Sequence, residues 1–298
     1  MTQPLGAGQQ QPSQQSMEEM VSFYTEATMD YRYWSPQFNM HFGYWRRRMN
    51  PFRREPMLHQ MTEQALQLLR LPRHHPHRIL DMGCGMGTSM HLAARHFAKA
   101  KVFGMSLVEA QVAQARAIAA DAGLGDRLKF LRGDFTRSPF PNQTFDGIYA
   151  LESLCHGPGP DKASAIEEAA RLLKPGGQFV IADGFLKKPM ATRGPLATLY
   201  RNTCNHWRLS EFAQITPFRD TLLAQGFSKV KVREISWRIA PSAMHIPIVC
   251  LKFLWHEWLL SSNPIAPERW SNMLASVSGL LLGLARPYFG YFLIHAER

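Results

Sequence analysis

The feature that most limits the folds open to this chain is the rhythm between residues 77 and 186. Short apolar runs alternate there with amphipathic ones across glycine-marked turns. "HRILDMG" reads as a strand entering a glycine turn, and "TSMHLAARHFA" as the helix that follows. "AKVFGMS" is a second strand, and "VEAQVAQARAIAADAGL" a long helix that breaks at Gly123. "RLKFLRGDF" and "FDGIYALES" are strands three and four. "KASAIEEAARLL" is a helix, KPGG a tight turn and "QFVIADGF" strand five. Strands joined through helices cross over and lie parallel, so the pattern predicts an α/β fold with a mainly parallel sheet and helices on both faces. "SKVKVREIS" and "YFGYFLIHAE" complete a Rossmann-like sheet of seven strands.

Around this core, residues 1–17 read as a disordered tail rich in Gln, Pro, Ser and Gly, and 18–76 as an N-terminal helical lid. The α/β domain occupies 77–298, with helical insertions around 187–210 and 241–285. The second insertion sits between two strands, so it is a cap on the domain and not a domain of its own. A chain of 298 residues, 45% hydrophobic, suffices for one large core with such additions. The stretch closest to a membrane span, 243–260, carries Lys252, His256 and Glu257 in its second half and reads as a buried or interfacial helix.

The net charge of +11 and a pI near 9.7 favour an anionic partner: nucleic acid, a lipid headgroup or a phosphorylated substrate. No nucleic-acid-binding module and no Asn-Pro-Pro-Tyr run is present, which sets nucleic acid aside. Cys84, Cys155, Cys204 and Cys250 lie far apart without metal or redox spacing, and no secretory leader is visible. A reduced, cytoplasmic setting without a metal centre is expected.

The turn "DMGCGMG" at 81–87 narrows the chemistry. Gly83, Gly85 and Gly87 permit a tight turn and close approach of a ligand to the backbone. The spacing differs from the dinucleotide fingerprint G-x-G-x-x-G, and Asp81 stands at the strand end, where a pyrophosphate would be repelled. A ligand with positive amino and sulfonium groups would tolerate that carboxylate.

DMGCGMG, "GDF" at 133–135, "FDGIYALES" and "LLKPGGQFVIAD" together resemble the class I S-adenosylmethionine-dependent methyltransferases, over about residues 77–186 and the last two strands. Within that family the chain is similar to the sterol, tocopherol and prenyl-diphosphate C-methyltransferases. The resemblance implies S-adenosylmethionine as cofactor, with Asp81, Gly83, Cys84 and Gly85 at its methionine and ribose part and Asp134 and Phe135 at its adenine. Leu151 at the end of strand four and Tyr24 in the lid complete the expected contacts. Many class I enzymes carry an acid after strand two for the ribose hydroxyls. Ser106 stands there in this chain, and Gln111 matches the downstream glutamine that assists in this branch.

"YALESLCHGP" resembles the sterol C-methyltransferase stretch in which strand four ends in a Glu–x–x–Cys–His run. An alkene that accepts a methyl cation becomes a carbocation. A facing carboxylate stabilises it and accepts a proton as a new alkene forms. Glu152 is the candidate for that role. His156 is a second candidate: some sugar O-methyltransferases carry "ESLHH" here, and a histidine could serve as base for a hydroxyl. An O- or N-methyltransferase of a small natural product therefore stays open beside C-methylation of an isoprenoid.

"HFGYW" resembles the family's aromatic lid, which makes Tyr44 a candidate at the reacting centre and Trp45 a candidate substrate contact. Arg47, Arg48, Arg53 and Arg54 suit phosphate oxygens and would fit a prenyl diphosphate; a basic loop or an acidic membrane surface explains them as well. Met244, Ile246, Ile248, Val249, Phe253, Trp255, Trp258, Leu259 and Met273 give the cap an apolar density that suits the roof of a lipophilic pocket or plain core. The partners expected are a small lipophilic substrate and a peripheral membrane contact, with a homo-oligomer left open.

Overall fold

The computed structural model describes residues 14–260 and 264–298. The chain opens with helix α1 (Gln14–Ala27), a 3-10 turn (Thr28–Asp30) and the single turn α2 (Tyr31–Trp34), followed by α3 (Arg54–Leu68). The alternating part runs β1 (Arg78–Met82), α4 (Thr88–His96), β2 (Lys101–Ser106), α5 (Glu109–Asp121), β3 (Leu128–Arg132), β4 (Phe145–Leu151), α6 (Ala163–Leu172) and β5 (Leu173–Leu186). Then come α7 (Pro195–His206), the two-residue β6 (Ala213–Gln214), α8 (Ile215–Ala224) and β7 (Ser228–Glu234). The cap comprises α9 (Ser236–Ala243), α10 (Ile246–Leu254), a π-helical turn (Trp255–Leu260) and α11 (Pro267–Leu284), and β8 (Phe289–Glu297) closes the sheet.

The strand order is β3-β2-β1-β4-β5-β8-β7, with β6 added alongside β5, so the sheet has eight strands where seven were expected. β8 is antiparallel to both β5 and β7; the other pairings are parallel. Strand alternation sends Ile79 and Tyr149 to one face, under α3, α4 and α5, and Leu80 and Ile148 to the other, under α6 and α8. Each buried Leu or Ile contributes about 1.5–3 kcal/mol of transfer free energy, which makes these two layers the main source of cohesion.

Two expectations are corrected. Helix α1 begins at Gln14, so 14–17 of the expected tail are helical; residues 1–13 lie outside the described residues. KPGG is no free turn. β5 runs through it, since Gly176 N–H donates to Arg298 O (2.7 Å) and Arg298 N–H to Gly177 O (2.8 Å), while the register against β4 slips between Phe145 and Gly147. Among the described residues no helix is long and apolar enough to cross a membrane.

The order reverses between β1 and β4: the chain winds outward from β1 through β2 and β3, then returns to β4. In open α/β sheets the crevice at that point, beyond the carboxyl ends of the strands, is where ligands bind.

Candidate active site

A cavity of about 350 Å³ opens at that crevice. Tyr24, Asp81, Gly83, Cys84, Gly85, Ser106, Gln111, Asp134, Phe135 and Leu151 all line it, so the fold brings together every residue expected at the cofactor. Gly83 and Cys84 N–H both donate to Met105 O (3.1 and 2.9 Å), which folds the turn back over β2. Gly83 has φ +90°, and an added Cβ there would fall on Ser153. Gly85 has φ +51°, and its Cβ would meet Met40 Sδ at 2.9 Å. Gly83 therefore requires glycine, while at Gly85 a side chain would be strained and would have to displace Met40.

Asp81 is buried, and Ser89 Oγ donates to its Oδ2. Burial pushes its carboxyl up to about 7, while the Ser89 bond pulls the other way. A carboxylate kept so far from water gains most from a cationic ligand. The position after β2 holds no acid. Ser106 Oγ instead donates to Gln111 Oε1 (2.8 Å), Gln111 Nε2 donates to Thr28 Oγ1 (2.8 Å), and Thr28 Oγ1 donates to Tyr24 O (2.5 Å). This relay ties the N-terminal helix to α5 across the cavity. Asp134 Oδ1 accepts from Thr136 N–H (2.7 Å), which fixes the acid in its turn.

Glu152 and His156 line this cavity and also a second one of about 430 Å³. Glu152 has φ +51°, a left-handed conformation that a non-glycine residue adopts at a cost of order 1–3 kcal/mol. Its N–H still continues the ladder to Ala182 O (2.8 Å), so β4 holds the backbone while the twist turns the side chain toward both cavities. Phe42 N–H (2.5 Å) and Tyr291 O–H (2.7 Å) both donate to one oxygen, Oε1. Burial pushes the carboxyl up to about 8 against these two bonds. His156 Nε2 pairs with Tyr24 Oη (2.9 Å), and its Nδ1 is buried without a partner among the described residues. Burial, with Lys162 nearby, lowers this histidine to about 4, so it is a neutral imidazole.

The second cavity is largely apolar. Met244, Ile246, Val249, Phe253 and Met273 of the cap line it, as expected. Ile248 and Trp255 do not; they face solvent. The side chains of Trp258 and Leu259 lie outside the described residues.

The lid residues are distributed differently from the expectation. Tyr44 is buried in the core beside Met61 and Ala65, with its N–H on Met57 O (2.8 Å), and lines neither cavity. Trp45 donates through Nε1 to Met49 O (3.0 Å) and also lies away from both. Arg54 stacks 4.6 Å from the Trp34 ring and donates to Tyr33 O (3.0 Å). Arg47, Arg48 and Arg53 are exposed on the surface, and none of these arginines lines either of the two cavities. Of the tyrosines at the cavities, Tyr33 is tied to Glu257, and Tyr24, Tyr31 and Tyr291 are the others. The last two were not singled out from the sequence, although Tyr31 lies within the aromatic run 31–45.

Two further groups hold the site and were also missed. Asp183, within β5, accepts from Cys155 N–H (3.0 Å) and Gly184 N–H (2.7 Å). Lys162 is fully buried; its Nζ donates to Cys155 O (3.2 Å), Gly157 O (2.7 Å) and Glu211 O (2.8 Å), pinning the turn that carries His156.

Residues 79–177 match the family model described as a methyltransferase domain. Residues 79–177 therefore form a methyltransferase domain. The methyltransferase domain is 41% identical over 102 residues to the sterol 24-C-methyltransferase ERG6B of Gibberella zeae, 34% of this chain and 26% of that protein. The chain spans about half the length, or less, of the curated relatives it matches. Its fold is shared with the cyclopropane synthase MmaA2 of Mycobacterium tuberculosis (TM-score 0.78, 16% identity, 98% of this chain and 100% of that one). It is shared also with the geranyl diphosphate C-methyltransferase of Streptomyces coelicolor A3(2) (TM-score 0.71, 15% identity, 96% and 99%).

Proposed function

We propose that this chain transfers a methyl group from S-adenosylmethionine to an alkene carbon of a lipophilic isoprenoid, with Glu152 as the carboxylate that meets the developing cation. The reading rests on one observation above all: Glu152 stands where a polar cavity built on the glycine turn meets a larger apolar one. The cofactor supplies an electrophilic methyl on a sulfonium. Asp81, Gly83 and Gly85 would hold its methionine part, Gln111 its ribose, and Asp134 with Phe135 its adenine. Similarity to a sterol C-24 enzyme and a shared fold with a geranyl diphosphate enzyme support carbon as the acceptor atom.

The chain's own residues then have distinct tasks. The apolar cavity excludes water from an alkene that has no polar handle at the reacting carbon. Tyr291 and Phe42 hold Oε1 of Glu152, leaving Oε2 free among the described residues to face the positive carbon. The proton on the neighbouring carbon moves to Oε2, and its C–H electron pair becomes the new double bond. In the apolar cavity a diphosphate on the acceptor meets no unpaired arginine among the described residues, and Arg208 lines only the adjoining cavity. The lining Arg269 is already bound by Asp30 (2.6 Å) and Glu257 (2.9 Å), and Arg286 by Glu234. An isoprenoid without a diphosphate is therefore favoured.

One observation favours a second reading, methylation of a hydroxyl or amine. His156 is neutral, and its buried Nδ1 has no partner among the described residues. Incubating the protein with methyl-labelled S-adenosylmethionine and sterol, prenyl diphosphate or phenolic acceptors separates the cases. Label on carbon of a neutral isoprenoid is the expected result; label on oxygen or nitrogen alone refutes the proposal.

A further inference from the structure

The outer face of the cap has no use in the chemistry above. α10 and the residues flanking it expose Met244, Ile248, Leu251 and Trp255 at helical spacing, with Leu251 66% and Trp255 63% exposed. α11 exposes a second stripe, Leu274, Val277, Leu281 and Leu284. Single exposed apolar side chains are ordinary, but aligned runs on adjoining helices mark a contact surface. The stripes converge on the apolar cavity, because Met244 and Leu284 line it while being 63% and 69% exposed. Trp237, 77% exposed, lines it too, with Arg286 over its ring at 5.3 Å. The cavity mouth therefore opens on the exposed apolar face.

The arginine loop lies against the same face. Trp45 N–H donates to Arg238 O (2.7 Å), Gly43 N–H to Ser242 Oγ (2.8 Å), and His245 pairs with Pro51 O (2.8 Å). These bonds set Arg46, Arg47, Arg48, Phe52 and Arg53 beside α9 and the start of α10; Arg238 in α9 and Lys252 in the last turn of α10 are also exposed. Segments 43–53 and 236–256 contain no aspartate or glutamate. An apolar stripe flanked by cations alone matches a bilayer with anionic headgroups, whose phosphates meet the arginines while its acyl region receives the tryptophans and leucines.

We infer that the α9–α10 face and the 43–53 loop dock this protein on anionic lipid bilayers, with the mouth of the apolar cavity turned to the membrane. Lipophilic acceptors would then enter without crossing water. Docking does not depend on which acceptor is methylated, so its test reads binding and not turnover. The protein is sedimented with vesicles of phosphatidylcholine alone and of phosphatidylcholine mixed with phosphatidylglycerol, at low and high salt.

Binding to the anionic vesicles, weakened by salt, is expected. Arg47→Gln, Arg48→Gln and Arg53→Gln together should weaken it roughly a hundredfold, at about fivefold per cation. Leu251→Ser with Trp255→Ser should weaken it by at least about tenfold. Unchanged circular dichroism and melting of both variants show that the fold survives. No binding to either vesicle, or variants that bind like the parent, overturns the inference. So does a dimer that dissociates on Leu251→Ser and Trp255→Ser in a protein that ignores vesicles, since the face would then belong to a second copy.

Discussion

Replacing Glu152 by glutamine isolates charge from shape at the centre of the proposed site. Both hydrogen bonds to this side chain end on Oε1, from Phe42 N–H at 2.5 Å and Tyr291 O–H at 2.7 Å. A glutamine carbonyl oxygen in that place accepts both, and its amide occupies the space of Oε2. The fold should therefore be kept. What disappears is a negative charge and a proton acceptor. Burial raises this carboxyl to about 8, so in the empty protein at neutral pH it is mostly protonated, and the exchange costs little stability. The distance from the ordinary glutamate range to about 8 corresponds to on the order of 5 kcal/mol against the ionised form. A unit positive charge some 4 Å away returns about 4 kcal/mol at the effective dielectric of such a site. The two quantities are comparable, so Glu152 is poised to ionise when a cation arrives and not before.

Loss of that response should lower turnover on an alkene acceptor by on the order of a hundredfold or more. Single-turnover measurements with labelled cofactor read the methyl-transfer step directly. Calorimetry on the same variant reads cofactor affinity, and a urea titration reads stability. Near-parental turnover on an alkene acceptor with intact affinity would refute the reasoning. If the oxygen or nitrogen reading held instead, His156→Ala would be the severe variant, with partial recovery at high pH as the acceptor loses its own proton.

Asp81→Asn should stabilise the empty protein at pH 8, because a carboxyl held at about 7 by burial is costly to ionise there, while weakening cofactor binding by at least about tenfold; melting and calorimetry report the two effects. The folded pKa of both Asp81 and Glu152 is raised, so their contribution is full below the ordinary carboxylate range of about 4 and is lost progressively as pH rises from there to about 7 and about 8. The empty protein should accordingly lose stability between about pH 6.5 and 8, and the slope should flatten in Glu152→Gln; denaturation midpoints that rise over this window would contradict it. Lys162→Met leaves three buried carbonyls without their donor and should cost about 2–4 kcal/mol in urea unfolding, with the 155–157 turn exchanging its amides faster.

What could be read from the sequence and what could not divides along the range of the interactions involved. Asp81, Gly83 and Gly85 sit in one turn and announce themselves through spacing, since strand, turn and helix are set within a few residues. Glu152 was visible as an acid ending an apolar strand. Its geometry was not visible: its partners are 110 and 139 residues away, and nothing local in "YALESLCHGP" points to Phe42 or Tyr291. KPGG misled for the same reason. Its glycines are a turn signal in isolation, and only pairing with Arg298 draws them into a strand. In the run from 31 to 45, tyrosines occur close enough together that composition cannot say which one faces inward; Tyr31 reaches the cavities while Tyr44 fills core.

The arginines are the most instructive case. Their charge calls for an anionic partner, but charge carries no information about direction. Hydrogen bonds from 43–51 to α9 and His245 turn the loop outward. The same side chains that would have clamped a diphosphate inside the site thereby become a candidate contact for phosphates outside it. The acceptor cavity keeps only arginines already neutralised by Asp30, Glu257 and Glu234. An apolar cavity without free cations among the described residues and a surface rich in them make opposite demands of one substrate. They make compatible demands of a neutral lipid that is taken up from a negatively charged membrane.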